Sequence, residues 1–119
     1  MKRILLLLLL CSTTLLMAQQ TDPIQEAMAS YDYETALSLI AQKKPATPLL
    51  LQKGKALRSL GLNAEALSTY QEIIGKDSTN TRALIEAAEC CRTLAKYKQA
   101  SAYYEKVLDL TPENKYVRI

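Results

Sequence analysis

The chain has no histidine, tryptophan or phenylalanine, and only three glycines and three cysteines among 119 residues. Without histidine it lacks the side chain best suited to proton transfer near neutral pH and the commonest zinc-binding nitrogen. The cysteines do not make up the deficit. Cys90 and Cys91 are adjacent, so on one helix they point in different directions and cannot staple the chain, and no second pair completes a metal site. They are expected to pack as two small apolar residues. Gly54, Gly61 and Gly75 are scattered, which leaves no glycine-rich loop to cradle a phosphate. No segment alternates with period two, and no Asn-Gly or Asp-Gly pair marks a hairpin. An enzyme, a cofactor and a metal centre are therefore not expected, and the fold class is all-α.

Net charge is small too. Fifteen basic residues face 12 acidic ones, a formal +3. Lys2 and Arg3 head an apolar run that continues from residue 4 to Ala18 before polar Gln19 and Gln20. A basic head, an apolar stretch and a small residue before a polar start are the marks of a secretory signal peptide, expected over residues 1–18. The run is shorter than the roughly 20 apolar residues of a spanning helix. Cleavage after Ala18 leaves 13 basic residues against 12 acidic, which gives no electrostatic case for nucleic acid. A lipid anchor at Cys11 is the rival reading; Leu9 and Leu10 stand where that signal wants small residues. The expected location is the periplasm or cell envelope.

What the sequence does have is a repeat. Residues 47–80 fall onto residues 81–114 at a shift of 34, without a gap. Thr47 meets Thr81, Leu50 meets Leu84, Arg58 meets Arg92, Ala66 meets Ala100 and Tyr70 meets Tyr104. A fixed period of about 20–50 residues signals stacked repeats. Each unit reads as two amphipathic helices. Gly61-Leu62-Asn63 makes the turn in the first, with Asn63 as N-cap, and Gly75 with residues 76–80 closes it. Thr47-Pro48 opens that unit as cap then proline, and Pro112 stops the next. Upstream, residues 19–46 read as a degenerate first pair. Asp22 caps a short helix over residues 24–30 with Gln25 completing a capping box, and Asp32 caps a second over residues 34–43.

These residues resemble the tetratricopeptide repeat. In residues 81–114 its pattern is occupied by Leu84, Ala88, Cys91, Tyr97, Ala100, Tyr104, Val107 and Pro112. In residues 47–80 it is occupied by Leu50, Gly54, Leu57, Asn63, Ala66, Tyr70, Ile73 and Ser78. The resemblance implies antiparallel helix–turn–helix units stacked as a short solenoid. Gly54 and Ala88 would be small so that Ala66 and Ala100 can approach, with Tyr70 and Tyr104 filling the space between units.

It also implies a binding surface on the first helix of each unit. The groove positions are Gln52, Lys55, Arg58 and Ser59, then Arg82, Glu86, Glu89, Arg92 and Thr93. Glu86 stands where relatives that clamp a C-terminal carboxylate want a cation, so that activity is not implied. The pair Glu86 and Glu89, three residues apart, reads otherwise as a solvated helix face. The expected partner is a protein or peptide, with neither nucleic acid nor a small-molecule substrate indicated. Residues 115–119 resemble the start of a further helix, and Val107, Leu108 and Leu110 would then keep an apolar side in water. That predicts either a longer repeat protein, with an enzymatic or signalling domain beyond Ile119, or a last helix covered by a partner or, through self-association, by a second copy. The function expected is a non-enzymatic interaction scaffold.

Overall fold

The computed structural model describes residues 22–111. The expected signal segment and cleavage after Ala18, Cys11, Pro112 and residues 115–119 lie outside them. The described residues form six helices and no strand: α1 (Pro23–Ala29), α2 (Tyr33–Ala41), α3 (Thr47–Ser59), α4 (Asn63–Lys76), α5 (Thr81–Thr93) and α6 (Tyr97–Leu110). Each packs mainly on its neighbours in sequence, as stacked helical hairpins must when each pair cannot bury its apolar face alone.

Three turns within the pairs share one geometry. The N–H of Asp32 donates to Ala27 O at 2.9 Å, that of Leu62 to Leu57 O at 2.8 Å, and that of Lys96 to Cys91 O at 2.7 Å. The residue before each donor is left-handed: Tyr31 at φ 60°, Gly61 at φ 79° and Ala95 at φ 60°. This is the closure that satisfies the last carbonyls of a helix and reverses the chain. Only Gly61 adopts it without a β-carbon in the way.

That turn corrects one expected cap. Leu62 takes the N-cap place of α4, because the reversal uses Gly61 and Leu62 and puts Asn63 inside the helix. The Asn63 amide nitrogen instead donates to Gly61 O at 3.3 Å. Thr47 is likewise already helical; Ala46 is the N-cap of α3 and supplies no side-chain bond. Gly75 does not end α4, which runs on to Lys76. Asp22 and Asp32 do cap α1 and α2, accepting from Ile24 N at 3.0 Å and Thr35 N at 3.3 Å. Asn80 caps α5, accepting from Ala83 N at 3.0 Å.

The core runs continuously along α3 to α6. Leu50, Leu57, Leu67, Ile73, Leu84 and Val107 are buried in it, as are Cys90 and Cys91, which are free thiols. Burial raises the pKa of both thiols, which suits packing and not reactivity. Ala66 and Ala100 are buried, but the neighbour that demands a small residue at 54 is Tyr70: a β-carbon there would stand 2.4 Å from Tyr70 Cζ. Tyr97 is 65% exposed and belongs to no core. On α6 Val107 is fully buried against the core and Leu108 partly so, which leaves Leu110 at 40% exposure as the apolar residue on the open side.

Candidate peptide-binding groove

The first helices of the pairs, α1, α3 and α5, line two adjoining hollows. One, of about 390 Å³, is bordered by Leu51, Lys55, Arg58, Ser59, Tyr70, Arg82 and Glu86. The other, of about 620 Å³, is walled by α1 through Gln25, Met28 and Ala29, and by Leu49, Gln52 and Lys55 of α3. Leu51, Lys55 and Arg82 border both, so the hollows form one trough across three helices.

Its charges divide into those already committed and those free to meet a ligand. Arg58 Nη1 lies 2.7 Å from Glu86 Oε2, and Nη2 lies 3.7 Å from Glu89 Oε2. This ties α3 to α5 between units. Arg92 Nη2 holds the same Glu89 oxygen at 2.5 Å, and the Tyr104 hydroxyl donates to Glu89 Oε1. Burial pushes the Glu89 carboxyl up, but the bonds from Tyr104 and Arg92 and the nearby guanidinium charges outweigh it, holding the group below the usual carboxylate range. Burial first, and the facing Glu89 second, push Tyr104 up to about 12. The ring of Tyr70 is buried between Gly54 and the trough; burial and the Glu86 charge raise its hydroxyl well above the ordinary tyrosine value. Lys55 and Arg82 form no ion pair among the described residues. They are the trough's available cations.

Six of the nine groove positions read from the sequence therefore line the trough: Gln52, Lys55, Arg58, Ser59, Arg82 and Glu86. Glu89 and Arg92 sit one turn on, in the ion-pair network. Thr93 lines neither hollow; its hydroxyl donates to Glu89 O at 3.0 Å along its own helix. Glu86 and Glu89 are bridged by Arg58 and do not form a plainly solvated face. Sequence reasoning missed the α1 wall, Leu51 and Tyr70. Leu51 carried a signal, being the third leucine of a row whose helical spacing turns one away from the core.

The trough's acids are committed, Glu86 to Arg58 and Asp22 to the start of α1, and the Glu86 charge faces the Tyr70 hydroxyl.

Comparison with known proteins agrees with this geometry. Residues 81–114 match the profile of the tetratricopeptide repeat. Among curated proteins none matches the sequence. Among the solved structures that share the fold are two crystal structures of PcrH. One is PcrH in complex with the chaperone binding region of PopB: TM-score 0.69, 19% identity, covering 80% of this chain and 80% of that one. The other is PcrH from Pseudomonas aeruginosa, with the same score and identity, covering 80% of this chain and 75% of that one. Residues 81–114 thus match a tetratricopeptide repeat, and the stacked helical pairs share the fold of these structures.

Proposed function

We propose that the chain is a non-enzymatic interaction scaffold that holds a segment of a partner protein in the trough of α1, α3 and α5. The observation that carries this reading is the division of charge within the trough. Arg58 is fixed by Glu86 and Glu89 and braces two units, while Lys55 and Arg82 stand unpaired over apolar Leu51 and Met28. A braced surface loses little freedom on association. Unpaired cations over an apolar floor suit a peptide that alternates acidic and apolar residues. The PcrH structure with a region of PopB supports the reading, since a chain of this fold there holds part of another protein. We propose the bacterial cell envelope, after export, as the site of action; the basic head and apolar run before Ala18 support that reading.

A photo-crosslinking residue at Lys55 tests the trough, with one at Glu72, an exposed position on α4, as control. The expected outcome is a discrete adduct from position 55, lost when Arg82→Glu is added, and none from position 72. The same adducts from both positions would remove the trough from consideration. Arg58 is a poor target, because its ion pairs tie α3 to α5, and Arg92 lines neither hollow. Export is tested separately: the periplasmic fraction should yield a chain whose first residue is Gln19, and an uncleaved cytoplasmic chain would refute it.

A further inference from the structure

The first helical pair is missing a turn, and a cavity lies beside the gap. α2 has nine residues, against 14 in both α4 and α6. Counted from the left-handed residue of each turn, Ala36, Ala66 and Ala100 share one place and all are buried. Seven residues further on, Ile73 and Val107 share another and are fully buried. The same place in the first pair is Lys43, exposed and beyond the end of α2. No apolar turn fills the base of that pair.

Between α2 and α3 there is a cavity of about 450 Å³. Leu37, Ile40, Leu49, Leu50 and Leu57 wall it, and Lys43 and Lys53 are its charged lining, one from each side. Neither lysine forms an ion pair among the described residues. Glu65 and Glu72 share the neighbouring hollow with Lys53 but do not line this cavity.

We propose that this cavity is a binding site for a free alkyl carboxylate, with its tail among the leucines and its head between Lys43 and Lys53. Its volume falls in the range of roughly 300–1,000 Å³ typical of small-molecule sites, which are mostly apolar with a few placed polar groups. Apart from the two lysines no lining side chain carries a donor or acceptor. An extended peptide would leave its amides unpaired against these walls, whereas a hydrocarbon tail has nothing to pair. The two ammonium groups select an anionic head. The site shares only Leu49 with the trough and does not depend on its role.

Dodecanoate, kept below its micelle-forming concentration, is the probe, read by methyl resonances of the purified chain. Saturable shifts are expected at Ile40, Leu37, Leu49, Leu50 and Leu57, with Leu67 and Ile85 unmoved. Dodecyltrimethylammonium and dodecanol should bind about tenfold more weakly, the scale of losing one to two partly exposed charge contacts. Lys43→Glu with Lys53→Glu should weaken dodecanoate similarly at an unchanged melting temperature. Should that pair disturb folding, Lys43→Ala in the exposed connection provides the same comparison. Equal response to the three head groups, shifts spread through the core, or no saturation would overturn the proposal. So would co-flotation with phosphatidylglycerol vesicles in the absence of any dodecanoate response, which would assign the lysines to a membrane surface.

Discussion

Gly54 and Tyr70 share one place: a β-carbon at position 54 would stand 2.4 Å from Tyr70 Cζ and 2.8 Å from its hydroxyl. The pairing is made within one unit, between α3 and α4, and it lets the tyrosine ring sink until 1% of the residue is exposed. The corresponding pair in the next unit is Ala88 and Tyr104. With a methyl group at 88, Tyr104 stays at 7% exposure, and its hydroxyl finds Glu89. Both rings are buried, and in the second unit the hydroxyl joins the ion-pair network.

Gly54→Ala should therefore destabilise the protein. Overpacking costs about 1–3 kcal/mol, offset by roughly 0.5–1 kcal/mol that alanine returns inside a helix. In a Tyr70→Leu background the clash is gone, and the same change should become neutral or stabilising. Urea denaturation of the four variants measures the coupling. Equal losses in both backgrounds would mean that the ring is not what position 54 is small for.

The turn residues make a second prediction. Ala95 carries a left-handed backbone that costs an L-residue roughly 1–2 kcal/mol, while glycine adds about 0.4–1 kcal/mol of unfolded-state entropy to be lost. Ala95→Gly should give a small net stabilisation, about 0.8 kcal/mol at the middle of those figures. Gly61→Ala, at φ 79°, should reverse the sign. A lower melting temperature for Ala95→Gly would contradict the shared turn.

The repeat was legible because small and large residues recur at a fixed spacing, and the helices follow from it. The caps were less so. Asn63 is a good capping residue by type, yet the chain reversal through Gly61 and Leu62 draws it into the helix. Tyr97 matched the family pattern but lies at the helix entrance, where 65% of it meets solvent. The Arg58–Glu86 bridge was hidden for another reason. Its partners are 28 residues apart, and only the stacking of α3 on α5 shows that their side chains converge.

A lost cap offers a stabilising change. Asn80 caps α5, and 34 residues earlier the same place holds Ala46, whose backbone is already extended at φ −113°, ψ 155°. Ala46→Asn should let a side-chain oxygen meet an open N–H of α3 and add about 0.5–2 kcal/mol. Thermal melting should rise, while Asn80→Ala should lower it by a similar amount. No change in either would show that Pro48 alone fixes the start of that helix.

The Glu89 network gives stability a pH dependence of definite sign. The carboxyl sits below the usual range in the folded chain, despite burial that opposes this, because Tyr104 and the guanidinium groups of Arg92 and Arg58 hold its charged form. A group depressed on folding stabilises the protein above its unfolded pKa, and that contribution is lost as pH falls through the folded value. Glu89→Gln should thus lower stability at neutral pH by about 1 kcal/mol or less, given how exposed the Arg92 side is. The deficit should close as pH drops below the ordinary carboxylate range, since the wild-type carboxyl is then protonated and position 89 offers Arg58 and Arg92 no charge in either protein. Parallel denaturation curves across that range, with a deficit that does not narrow, would show that Glu89 acts through packing and not through its charge.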